Sequence, residues 1–231
     1  MYFSKVSLRP DAFKSKDFWN VATGPYQIHS MIWDLFSDSG ERERDFLYRV
    51  DFSRGRPVIM IVSAREPLYS GNLWNVETKL YNPQVPEGKR LGFSLRANPV
   101  VTKTVPEAKG VKKKRYKHDV VMDAKKRIMD EYGDKSELPP VSEIVQQEGF
   151  RWLFSRSGKL GFHIEEGQVR ADAYNQVNFM QGKKNRKVSL STIDFTGVLT
   201  VADSEKFLET LGNGVGPAKG FGCGLMLVRP L

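Results

Sequence analysis

Cysteine is nearly absent from the 231 residues, with Cys223 the only one. An internal disulfide and a multi-cysteine zinc site are therefore excluded, and the composition suits a reducing, cytoplasmic setting. Histidine is scarce as well. His29, His118 and His163 stand far apart in the sequence and suggest no metal site, so neither a metal nor another cofactor is expected. No apolar run reaches the length of a membrane span, and the opening MYFSKVSLRP has no apolar signal-peptide core. No membrane partner is expected.

What is present is a hydrophobic content of 40%, enough for a buried core in one large or two compact domains. Charge is unevenly balanced: 36 Lys and Arg oppose 27 Asp and Glu, for a formal net charge of +9. Such an excess favours a polyanionic partner, because each cation placed near a phosphate releases a condensed counterion. A merely soluble basic protein is the alternative.

The hydrophobic pattern predicts a repeated order of elements. MYFSKVSL alternates as a strand. GPYQIHSMIWDLF (24–36) follows at helical spacing, with Pro25 in the first turn and Ile28, Met31, Ile32, Leu35 and Phe36 on its apolar side. FLYRVDF (46–52) and PVIMIVSA (57–64) read as a hairpin, and NVETKLYN (75–82) as a closing strand. The order then restarts with a strand over 91–102, a helix over 141–155, and strands at GFHI, QVRADAYNQVNFM and KVSLSTIDFTGVLTV. A helix over 204–212, capped by Asp203, leads to a last strand GLMLVRP. The expected fold is α+β, two tandem ferredoxin-like (βαββαβ, RRM-like) domains over 1–88 and 89–231. The second carries a basic insertion at about 103–140.

Two stretches stand out for chemistry. GNGVGPAKGFGCG (212–224) places six glycines in thirteen residues. A dinucleotide fold needs strand, glycines and then helix, whereas here the glycines leave a helix and enter a strand; no G-x-x-x-x-G-K-[ST] string occurs. A nucleotide-dependent enzyme is thus disfavoured. Two readings remain: bare backbone with Lys219 approaching a bulky polyanion, or a flexible connection with a helix stop at Gly212. TKTVPEAKGVKKKRYKH (102–118) holds seven basic residues, Lys103, Lys109, Lys112, Lys113, Lys114, Arg115 and Lys117, against one Glu. Pro106 and Gly110 argue for a loop that follows a phosphate backbone, with Tyr116 able to stack on a base, or else for a solvated charge run. GKKNRK (182–187) is a second basic cluster in an inter-strand turn.

On the first helix, His29 lies on the shoulder of the apolar stripe toward Tyr26 and Trp33, and Tyr26 is three residues away on the same face. Histidine exchanges a proton near neutral pH and a nearby phenol can orient or donate one. On RNA, such a pair can act through the ribose 2′-OH without a metal. A boundary-packing histidine is the other reading of the position. His118 is better suited to a phosphate contact, and His163 to a strand.

These landmarks resemble a known family. MYFSKVSL, YQIHSMIWDLF (26–36), RDFLYRV (44–50), LRANPVVTK (95–103), FTGVLTV (195–201) and GVGPAKGFGCGLMLV (214–228) occur in the order seen in the CRISPR-associated endoribonuclease family CasE, the RNA-processing subunit of Cascade-type complexes within the RAMP superfamily. The resemblance implies metal-independent cleavage of precursor CRISPR RNA in its stem-loop repeats, with the mature guide RNA retained beside other Cascade subunits. It assigns catalysis to His29 with Tyr26, and RNA contact to the glycine loop at Gly214, Gly216, Gly220, Gly222 and Gly224 with Lys219. RNA contact is also implied for Lys112, Lys113, Lys114, Arg115 and Lys117. A non-catalytic RNA-binding scaffold of the same superfamily is the alternative. No Lys or Arg stands within a turn of His29, so charge on the reacting phosphate must be met from elsewhere. The segment 116–140, rich in both charges, reads as a mobile RNA-facing arm or a docking surface.

Overall fold

A computed structural model of the chain describes residues 1–14, 25–36, 44–105, 114–133, 138–181 and 186–231. The first four strands are β1 (Tyr2–Leu8), β2 (Phe46–Ser53), β3 (Arg56–Ser63) and β4 (Trp74–Leu80). They form one antiparallel sheet in the order β2-β3-β1-β4. Side chains alternate across a strand, so each strand supplies two faces. Val6, Phe46, Tyr48, Ile59 and Ile61 point to the side covered by helix α1 (Pro25–Asp34), where Ile28, Ile32, Leu35 and Phe36 complete a core. The predicted apolar stripe of that helix is therefore the buried one. Between β3 and β4 no helix forms. Residues 64–73 fold back instead, with the Tyr69 hydroxyl accepting from the Leu73 and Trp74 N–H groups at 3.0 and 3.3 Å.

The second sheet contains β5 (Arg90–Ala97), β8 (Phe162–His163), β9 (Val169–Gln181), β10 (Arg186–Val201) and β11 (Met226–Pro230). Its order is β11-β5-β10, with β8 and β9 pairing one after the other along the far edge of β10. With β8 and β9 taken as one interrupted strand, the order matches that of the first sheet. The chain is thus α+β, two tandem ferredoxin-like sheets with their helices. Helices α3 (Val141–Ser157) and α4 (Ser204–Asn213) pack Trp152, Leu153, Phe207 and Leu211 onto Leu95, Phe195 and Leu199. Asp203 caps α4 as expected, its carboxylate accepting the Lys206 N–H at 3.0 Å.

Three expectations for the region after β5 are corrected. The strand expected over 91–102 is broken at Asn98 and Pro99, where the buried Asn98 amide donates to the Ser191 carbonyl at 2.6 Å and proline cannot continue a ladder. The basic stretch is not simply a loop: β6 (Val100–Val105) and β7 (Lys114–Asp119) form a separate two-stranded sheet. Nor is the following segment an unattached arm. Helix α2 (Val120–Tyr132) buries Val120, Val121 and Ala124, is capped by Asp119, and ends at Gly133 with φ 73°. Arg127 ties it to Glu148 of α3 at 3.0 Å.

The two sheets meet through the outer face of the first. Leu47, Val62 and Leu225 form a small core between them. Around it, Arg49 donates to Ser94 at 2.6 Å and to Asp51 at 2.9 Å, while Arg96 makes two 2.7 Å bonds to the Asp194 carboxylate and one to the Val50 carbonyl. Both arginines are largely withdrawn from solvent, so the carboxylates and carbonyl supply what water no longer can.

Candidate functional site

The glycine-rich segment is anchored rather than flexible. Helix α4 stops at Gly214, not at Gly212, with the Gly214 N–H bonded to the Thr210 carbonyl at 2.8 Å and φ 75°. A side chain there would lie 2.8 Å from Leu47 of β2 and 2.9 Å from the Gly224 carbonyl. That carbonyl accepts the Val215 N–H at 2.9 Å and closes the neck of the loop, while the Gly224 N–H reaches the Arg96 carbonyl of β5 at 2.7 Å. Ends held this close make a compact loop whose tip is displayed from a fixed base. Several of the glycines are thereby explained by packing alone, an explanation that glycine content could not reveal.

Tyr48 of β2 holds the tip from below. Its buried hydroxyl donates to the Gly220 carbonyl at 2.8 Å, and burial drives its pKa well above the ordinary phenol value, so the donor stays protonated. Cys223 is fully buried, and burial pushes its thiol up to about 12; it is a small packing residue with no thiolate chemistry at neutral pH.

Across from the tip lies α1. Helix and tip border an open groove of about 620 Å³ lined by Trp33, Arg44 and residues 216–221 of the loop, Lys219 among them. Position 29 is one turn before Trp33 and position 26 one turn before that, so all three share the helix face that borders the groove. The structure fixes the backbone of Tyr26 and His29 on α1; their side chains lie outside the described residues. Lys219 has its pKa lowered, first by burial and then by the positive charge of Arg44. The cations absent from the neighbourhood of His29 in sequence are thus found across the groove from α1, on a distant loop and just before β2.

The root of the basic hairpin is linked to the loop through α3. Trp152 of α3 packs against Gly216 of the loop, 3.0 Å from where a side chain would begin, and donates its indole N–H to Val100 at the root of β6 at 3.2 Å. The Arg156 guanidinium lies 4.4 Å above the Trp152 ring. Arg115 and Lys117 are exposed on β7 with Tyr116 and His118, opposite Thr104, Thr102, Lys103 and Val101. Lys114 begins β7, and its side chain, like all of Lys112 and Lys113, lies outside the described residues. So do residues 182–185 of the second basic cluster, which falls between β9 and β10. His163 is on β8, away from α1. Among the described residues, no three His, Cys, Asp or Glu are grouped so as to hold a metal ion, and no helix is long and apolar enough to cross a membrane.

The sequence matches the family described as "CRISPR associated protein" over residues 1–230. The chain belongs to that family. It is 30% identical over 211 residues to the CRISPR system Cascade subunit CasE of Escherichia coli K12, covering 89% of this chain and 92% of the relative. It is 28% identical to the CRISPR-associated endoribonuclease Cse3 of Thermus thermophilus over the whole of both chains. Among solved structures it resembles a CRISPR endoribonuclease Cse3 bound to 19 nt RNA, with a TM-score of 0.71, 26% identity and 100% of each chain covered.

Trp33, Arg44, Tyr48 and Trp152 were not singled out as functional by sequence reasoning. Trp33 marked only the shoulder on which His29 lies and Tyr48 was one residue of a strand; the docking of the two sheets is what sets them against the loop. Arg44 stands in RDFLYRV, a segment that carried the resemblance without a role attached to this arginine.

Proposed function

We propose that this protein is an endoribonuclease that cleaves precursor CRISPR RNA within its stem-loop repeats and keeps the mature guide RNA as part of a Cascade complex in the cytoplasm. The observation that carries the reading is the groove: the helix face bearing positions 26 and 29 opposes a rigid glycine loop with two cations beside it. Family membership supplies the substrate, since relatives are named as a Cascade subunit and as an endoribonuclease. In this reading residues 1–88 form the unit with the catalytic helix. Residues 89–231 form the unit with the basic hairpin and the loop, and Lys112 to Lys117 hold the stem.

The reaction needs no metal in this scheme. One member of the His29 and Tyr26 pair takes the proton of the 2′-OH; the 2′ oxygen attacks the adjacent phosphorus, forming the new O2′–P bond. The P–O5′ bond breaks, and the leaving 5′ oxygen takes a proton from the other member. The products are a 2′,3′-cyclic phosphate and a 5′-OH. Lys219 and the loop backbone at Gly214, Gly216, Gly220 and Gly222 lie along the RNA.

The test is cleavage of a stem-loop repeat RNA in excess EDTA, beside the same RNA with one 2′-deoxy sugar at the cut. Cleavage of the all-ribose RNA alone is expected, falling by about 10²- to 10⁴-fold in His29→Ala while binding persists. Cleavage of the deoxy RNA would refute the 2′-OH mechanism, dependence on a divalent metal would refute metal independence, and binding without any cleavage would make the protein a scaffold.

A further inference from the structure

The transition state of this reaction carries more negative charge on the phosphate oxygens than the starting diester, and α1 itself offers no Lys or Arg to meet it. The groove does. Arg44 and Lys219 both line it, and no carboxylate stands among the described residues that do. Two like charges in one groove repel each other, and Lys219 has its pKa lowered by burial first and by this repulsion from Arg44 second. An anion held between them turns that repulsion into attraction, and partial burial strengthens the effect by lowering the local dielectric. The tip that carries Lys219 is fixed by the Tyr48 bond to Gly220 and by the closed neck at Val215 and Gly224, so the cation is placed before substrate arrives. Preorganisation of this kind distinguishes a transition-state contact from a solvated lysine on a mobile loop. Arg115 and Lys117 of β7 are, by contrast, exposed.

We propose that Lys219 and Arg44 are catalytic residues that grip the scissile phosphate and neutralise the charge it gains as the 2′ oxygen attacks. This rests on the endoribonuclease reading above. It predicts that the two cations matter more for rate than for affinity, unlike those of the hairpin.

The experiment compares wild type with Lys219→Met, Lys219→Arg and Arg44→Met under single-turnover conditions at saturating protein. Methionine keeps the aliphatic stem that packs near Gly224, so the loop keeps its filling. Lys219→Met is expected to cut about a hundredfold more slowly while binding uncleavable 2′-deoxy RNA within about threefold of wild type. Lys219→Arg should recover most of the rate. A second readout is affinity for product RNA ending in a phosphate relative to product ending in a 3′-OH. Wild type should prefer the phosphate end, and both methionine variants should lose that preference. Wild-type rates in both variants would overturn the assignment while leaving the endoribonuclease reading intact. A slow variant that keeps the preference for the phosphate end would also overturn it, since the loss would then be structural. A wild-type protein that cuts no RNA would overturn both.

Discussion

The glycine loop and the basic hairpin, joined through Trp152, both stood out in the sequence by composition, yet they are built in opposite ways. The loop is tied at its neck, at β5 and at Tyr48, and its interior residues Val215 and Cys223 are inaccessible to solvent. The hairpin pairs only with itself as a sheet and displays Arg115, Tyr116 and Lys117 to water. Position in the loop is held by packing, so a change there acts through geometry. The exposed charges of the hairpin act at longer range and are screened by salt. Glycine-rich is therefore no synonym for flexible, nor lysine-rich for unstructured.

That contrast can be broken by substitution. The largest effect is expected for Gly224→Val. It places a branched side chain at φ 91°, with its first carbon 2.9 Å from the Val215 carbonyl, and should cost about 3 kcal/mol in denaturant unfolding. An unchanged midpoint would show that the neck is loose. Next in size, taken per pH unit, is an alkaline effect. Cys223 is protonated up to about 12 when folded but ionises near 9 when unfolded, so its burial stabilises below pH 9 and that stability is lost as pH rises toward 12. Wild type should lose up to about 1.4 kcal/mol per pH unit from this group within that window, and Cys223→Ala should flatten the slope. Equal slopes in both proteins would contradict it.

A smaller loss, about 1 kcal/mol, is expected for Tyr48→Phe, which leaves the Gly220 carbonyl without its donor. Its diagnostic value lies in the cleavage rate, which should fall although the residue faces no solvent. The smallest effect on stability belongs to the hairpin. Replacing Lys112, Lys113, Lys114 and Arg115 by Gln should move the unfolding free energy by no more than about 0.5 kcal/mol. The same change should flatten the salt dependence of RNA binding by roughly one unit for each phosphate no longer neutralised. A steep slope retained by that variant would reduce the basic run to a solvated face.

Much of this architecture was legible beforehand, and the exceptions share a cause. Strands such as FLYRVDF and helices such as α3 and α4 declared themselves because one or both of their faces are buried, which imposes a period on the sequence. β7 did not, since Arg115, Tyr116, Lys117 and His118 are all exposed and no burial marks the alternation. Pro106 and Gly110 then pulled the reading toward a loop for the whole run. Position 29 was legible as a shoulder residue on α1, but its opposite wall was not. Lys219 and Trp33 meet only because Leu47, Val62 and Leu225 bring two separately patterned sheets together, and a local pattern carries no trace of such a contact.

The bond between Tyr48 and Gly220 also sets an order in time. A ribosome releases α1 and β2 early and residues 216–221 only after nearly all the other elements described. Until those residues emerge, the helix face has no wall opposite it. The groove comes into being at a single late moment, when the loop emerges and docks on a tyrosine that has long been waiting. A chain that ends before residue 216 therefore lacks the wall that opposes α1.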